Sequence, residues 1–204
     1  YNNRMWVIGG RGLAAQHGDN TYDDAWWSTD GITWTQATAD AAFVPRMYFC
    51  LTVHVGKMWV YAGNDGAATN YNDVWYSTDG ATWTQATAAA AFSTVSQAGC
   101  TTYGGRMWLF GGDGFANQAY YSTDGATWTS AGTVTTSALN RASPGCMTLA
   151  NRVYVVGGNH NSTLDDDVWK SNLDSTTAAV GPTAYMMVKN NNQAQSAFPI
   201  KKEF

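Results

Sequence analysis

Charge is scarce in this chain. Only 13% of its 204 residues are Asp, Glu, Lys or Arg, and the single glutamate, Glu203, lies beside the C-terminus. The net charge is −4 and the few Lys and Arg are scattered, so there is no basic stripe for a nucleic acid to follow. No apolar run approaches the roughly 18 residues a membrane-crossing helix needs. No charged segment followed by an apolar stretch marks a signal peptide. Cysteine is rare as well: Cys50, Cys100 and Cys146 cannot all pair. Cys100 and Cys146 fall in one repeat column and Cys50 one position away, which predicts small buried thiols on an inner strand rather than a disulfide framework or a metal site.

What the chain has instead is repetition. An apolar strand closed by small residues recurs as Met5–Gly10, Met58–Gly63, Met107–Gly112 and Val153–Gly158, at spacings of 53, 49 and 46 residues. A second unit follows the first three: Ala25–Trp34, Val74–Trp83 and Ala119–Trp128. Its fourth copy, from Val168, decays by Leu173. A strand-bearing period near 50 residues indicates a radial or stacked array.

Each repeat reads as four strands. Small-residue apolar stretches at Phe49–Val55, Ala98–Tyr103 and Gly145–Leu149 precede the Gly-closed strand, with tight polar turns between. That strand is apolar at consecutive positions, so both its faces are expected to be covered. A strand such as Asp73–Thr78 follows. The Asp-Gly pairs at 30–31, 79–80 and 124–125 then turn the chain into a fourth strand headed by Trp34, Trp83 or Trp128. The fold class predicted is all-β, a β-propeller of four four-stranded blades. The repeats run about 1–40, 41–90, 91–137 and 138–182, within a propeller spanning 1–190.

These motifs resemble the kelch repeat: a strand ending in Gly-Gly, a polar loop, an Asp-Val-Trp strand and a late Trp. Arg46 and Arg141, each twelve residues before its Gly-closed strand, match the kelch arginine, whereas Val95 holds that column in the third repeat. The Ser-Thr-Asp-Gly-x-Thr-Trp turn also resembles the Asp-box of bacterial neuraminidases. Such repeats host enzymes, lectins and protein-interaction modules alike.

Tyr1 to Arg4 corresponds to the turn that should follow an innermost strand, so the first repeat lacks that strand. The apolar segment 183–190 is expected to supply it by pairing with Met5–Ile8, closing the ring and covering an open edge; the alternative is that the chain is a four-repeat excerpt of a longer ring. Residues 191–204 lack the pattern and read as a docking tail.

All ten tryptophans occupy repeat columns and are therefore expected to pack blade on blade. The loops that vary lie between the second and third strands: 11–24, 64–73, 113–118 and 159–167. They are rich in Asn, Asp and His and carry Tyr22, Tyr71 and Phe115. Planar amides beside aromatic faces suit neutral glycans or a receptor surface. The ligand-binding residues predicted are Tyr22, Tyr71, Asn64, Arg46, Arg141 and His160. The acidic clusters 23–24 and 165–167, with Asn72-Asp73, lack the alternation of a calcium loop and are expected to be solvated strand starts. The propeller resemblance also raises two enzymes. A galactose-oxidase-like copper site would need two His and two Tyr, and His17, His54 and His160 do not supply it. A sialidase-like hydrolase would need an arginine trio and a Glu-activated Tyr, and Glu203 lies in the tail. The function expected is non-enzymatic recognition of a glycan or protein receptor on an extracellular or virion surface, without cofactor or metal. The alternatives are a structural role docking through the tail, or a sialidase-like hydrolase.

Overall fold

The structure, a computed structural model, describes residues 1–12, 20–113, 117–133, 137–160, 162–171 and 187–189. Blade 1 holds β1 (Met5–Arg11), β2 (Thr21–Ser28) and β3 (Thr35–Thr38). Blade 2 holds β4 (Cys50–His54), β5 (Lys57–Tyr61), β6 (Val74–Ser77) and β7 (Thr84–Thr87). Blade 3 holds β8 (Gly99–Tyr103), β9 (Arg106–Phe110), β10 (Gln118–Ser122) and β11 (Thr129–Thr133). Blade 4 holds β12 (Gly145–Leu149), β13 (Arg152–Val156), a small hairpin of β14 (Asn159–His160) and β15 (Thr163–Leu164), β16 (Val168–Ser171) and β17 (Met187–Lys189). Every sheet is antiparallel, and the described residues contain no α-helix.

The consecutive apolar residues of the Gly-closed strands are explained by their place. β5 lies between β4 and β6, and Met58, Trp59, Val60 and Tyr61 are all buried, two toward each neighbouring blade. Three apolar clusters join consecutive blades. Ile8, Ala25 and Phe43 meet Met58, Val60 and Trp83; Trp59 and Tyr61 meet Met107, Leu109 and Trp128; Trp108 and Phe110 meet Val153, Val155 and Trp169. Among the described residues no fourth cluster joins blade 4 to blade 1.

The Asp-Gly turns repeat atom for atom. In blade 2 the Asp79 carboxylate accepts the backbone N–H groups of Ala81 and Thr82, each at 2.8 Å, and the Ser77 hydroxyl accepts that of Gly80 at 2.7 Å. The glycine is required twice over: Gly80 and Gly125 both have φ +76°, and a β-carbon on either would overlap the Trp6 or Trp59 ring of the preceding blade. Trp6 and Trp59 thus each seat on the next blade's turn.

The closing strand departs from expectation. β17 pairs with β16 in the register Trp169↔Lys189, Lys170↔Val188 and Ser171↔Met187, so it is the outermost strand of blade 4. The reason lies in the decayed fourth repeat. Blades 1 to 3 cover the corresponding edge with β3, β7 and β11, but the sequence after Leu173 has lost the Asp-Gly turn and its Trp strand. The edge of β16 takes the C-terminal segment instead, and blade 1 remains three-stranded. The tail at 191–204 lies outside the described residues.

Candidate functional site

The kelch arginines face inward. Arg46 has no exposed surface, and its two terminal nitrogens donate to the two oxygens of Asp73 at 2.6 and 2.9 Å. It also donates to the carbonyls of Val44 at 3.0 Å and Ala62 at 3.1 Å, and the Tyr71 ring lies 4.5 Å from its guanidinium carbon. Asp73 takes the Trp75 indole N–H as well, at 2.7 Å. Blade 4 builds the same unit: Arg141 donates to Asp167 at 2.6 Å and to the Gly157 carbonyl at 2.8 Å, and Trp169 donates to Asp167 at 2.7 Å. Two corrections follow. Arg46 and Arg141, expected to contact ligand, hold the scaffold because each guanidinium is committed to a buried carboxylate. Asp73 and Asp167, expected to be solvated strand starts, are those carboxylates.

Blade 3 lacks the whole unit. Val95, Gln118 and Tyr120 stand where blade 2 has Arg46, Asp73 and Trp75, so charge and counter-charge are absent together. A buried charge is tolerated only with its partner, which explains why the column is lost as a set.

The other predicted residues lie on one face, formed by the loops between second and third strands and by the inter-blade connectors. Asn64 pairs with Met47 through both backbone groups at 2.9 Å, and its side-chain oxygen accepts the Gly66 N–H at 3.0 Å. The Tyr22 carbonyl accepts the Arg46 backbone N–H at 3.1 Å. Tyr71 is half-buried over Arg46, and burial raises its phenol above the usual range. His160 lies 3.0 Å from the Asn140 amide. Tyr22, Tyr71, Asn64 and His160 therefore share a face, but each is engaged in building it. Asp65, next to Asn64, has its carboxylate held below the usual range by the N–H groups of Ala67 and Thr69. His17 and Phe115 lie outside the described residues.

Three residues that sequence reasoning did not single out lie in the inter-blade connectors of this face. Tyr48, Gln97 and Ser143 have φ of +55°, +57° and +52°, a region that non-glycine residues seldom occupy. Each stands ten residues before its Gly-closed strand. Gln97 N–H donates to the Tyr48 carbonyl at 3.0 Å and Ser143 N–H to the Gln97 carbonyl at 2.7 Å, a relay that steps from blade to blade. The Ser143 hydroxyl adds a bond to the Gln97 side-chain oxygen at 3.1 Å. Tyr48 is half exposed despite its size. The available signal was their common column, ten residues before each Gly-closed strand, at the end of each inter-blade connector.

The opposite face carries an open depression of about 440 Å³ among the inner hairpin turns of blades 2, 3 and 4. His54 is among its lining residues, with Nε2 3.0 Å from the Thr123 carbonyl. Cys50 is buried as expected, whereas Cys100 and Cys146 are half-buried. All three are free on inner strands, and burial pushes the Cys50 and Cys146 thiols up, away from reactivity. Among the described residues no group of His, Cys, Asp or Glu is arranged to hold a metal.

Radial antiparallel blades joined by Trp-on-turn contacts, with loops and connectors gathered on one face, define a β-propeller repeat protein. Residues 1–193 match the KLHDC2/KLHL20/DRC7 Kelch-repeats domain, and the chain belongs to the kelch-repeat family. No curated protein matches it. Family membership brings a protein-binding propeller as its coarse function. No helix among the described residues is long and apolar enough to cross a membrane.

Proposed function

We propose that the protein is a non-enzymatic binding module that holds a protein partner on its loop face, centred on Tyr48, Gln97 and Ser143. The observation that carries this reading is the relay of three positive-φ residues in one column. It fixes the backbone while leaving a tyrosine exposed, the type of rigid amphipathic anchor that dominates protein interfaces. A glycan is less well served, because Tyr71, one of the aromatic rings expected to stack on sugar, lies against Arg46. Tyr22, Asn64 and His160 act in this reading as the frame of the face. The sparse charge and neutral polar composition support an extracellular or virion setting.

Selection of a displayed peptide library against the folded protein tests the proposal. Binders are expected to lose tenfold or more of their affinity on Tyr48→Ala and on Gln97→Ala, with the melting temperature nearly unchanged. Binders indifferent to both substitutions, or glycan-array signals without any peptide binder, would overturn it.

A further inference from the structure

The two faces of the propeller carry opposite charge. The loops and connectors that form the binding face hold, among the described residues, nine aspartates and three arginines. Arg46 and Arg141 are committed to Asp73 and Asp167, and Arg11 is the exposed cation there. Asp40, Asp113 and Asp166 are exposed, and Asp23, Asp65 and Asp165 are half-buried. Like charges already crowd Asp23: burial, and then the Asp40 and Asp24 carboxylates, raise its carboxyl above the usual range. The opposite face reverses the sign. Arg4, Lys57, Arg106 and Arg152 stand at or beside the start of β1, β5, β9 and β13, and Lys170 lies at the same end of β16. They face only the Asp-Gly turn carboxylates of Asp30, Asp79 and Asp124 among the described residues.

Backbone pairing brings two of the loop carboxylates to the relay. The residue ahead of each relay position pairs with a loop: Met47 with Asn64 at 2.9 Å, Ser96 with Asp113 at 2.9 Å and Ala142 with Asn159 at 2.8 Å. Asp113 therefore stands beside Gln97, and Asp65, next to Asn64, stands in the loop adjoining Tyr48. Asp113 makes its bond through the backbone and is exposed. The N–H groups of Ala67 and Thr69 keep Asp65 ionised. A half-exposed tyrosine with ionised carboxylates in the adjoining loops suits a Lys or Arg side chain. The ring takes the apolar stem or the cation on its face, and the carboxylates take the charged head.

We infer that the partner held on the loop face presents a basic segment, whose Lys or Arg side chains meet Tyr48 and the carboxylates of Asp65 and Asp113. The inference rests on the loop-face reading and adds the partner's charge to it. Opposite charge speeds encounter and fixes orientation, while the same field repels nucleic acids, anionic membranes and acidic proteins.

A displayed peptide library selected on the intact 204-residue chain is the probe. Binders that need Tyr48 are expected to carry an excess of Lys and Arg. Their affinity should fall about tenfold as NaCl rises from roughly 0.05 to 0.5 M, because salt screens exposed charges. Asp113→Lys, in a protein whose melting curve is retained, should weaken them tenfold or more, whereas Lys170→Glu on the opposite face should not. The composition and salt readouts need no variant to fold. Tyr48-dependent binders without that excess, or binders insensitive to salt and to Asp113→Lys, would overturn the inference and leave the loop-face reading standing. Basic binders that respond to Asp113→Lys but not to Tyr48→Ala or Gln97→Ala would fault the centre proposed for that face and support the charge of its partner.

Discussion

Single residues show how closely the blades depend on one another. Gly125 needs its left-handed φ for the turn and needs a hydrogen for side-chain space, because Trp59 of blade 2 rests on it. Gly125→Ala is therefore expected to cost about 2–4 kcal/mol, combining backbone strain with overpacking. Gly31 has the same φ of +76°, but the nearest atoms to its added carbon belong to the flexible Met5 side chain, at 3.3 Å. Gly31→Ala should cost only about 1–2 kcal/mol, and urea denaturation of the two variants checks the difference. The turn carboxylates add a pH dependence. Backbone N–H groups hold Asp30 at about 2, against an ordinary 3.8, and lower Asp79 and Asp124 in the same way. A carboxylate whose folded-state pKa is depressed contributes stability above its unfolded value and loses it as pH falls toward the folded one. The melting temperature should thus decline from about pH 4 to pH 2. A protein carrying Asp30→Asn, Asp79→Asn and Asp124→Asn, which keeps the acceptor oxygens without the titration, should show a flatter profile.

At the scale of the element, each blade is specified by a set of columns that change together. Arg46→Val alone leaves the Asp73 carboxylate buried without its counter-ion and is expected to cost about 3–5 kcal/mol. Adding Asp73→Gln and Trp75→Tyr reproduces the set present in blade 3 and should restore much of the loss, which a thermodynamic cycle in urea would measure. A second set sits on the other face of each blade. Arg4 lies 3.7 Å from the centre of the Trp27 ring, Lys57 3.9 Å from Tyr76 and Arg106 4.3 Å from Tyr121. In blade 4 the ring is replaced by Lys170, and Arg152 reaches the Ser171 carbonyl at 3.5 Å instead. Trp27 is thus the aromatic half of a repeated pair. The columns were legible because period-two and period-fifty patterns coincide in them. The direction of Arg46 was not, since an arginine beside a loop has the same sequence signature whether it meets solvent or a buried carboxylate.

At the scale of the whole molecule, the blades form an array whose middle is covered on both sides. β5 and β9 each bury four consecutive apolar residues, while β1 and β13 bury fewer because, among the described residues, fewer blades pack against them. In such arrays stability follows nearest-neighbour contacts. Hydrogen exchange should be slowest in β5 and β9 and measurably faster in β1, β12 and β13; uniform protection across the four blades would contradict that gradient.

Local chemistry was enough to determine much of this protein. The turns follow from Asp, Ser and Gly bonding within a few residues, and the strands from apolar runs closed by glycine. The blade count follows from the period, and the inert inner-strand cysteines from their columns. Tertiary structure alone decided three matters: that the kelch arginines point inward, that Tyr48, Gln97 and Ser143 meet across blades, and that the C-terminal strand pairs with β16. Each depends on groups tens of residues apart competing for one partner. The contest is settled by which charges and strand edges would otherwise be left unpaired.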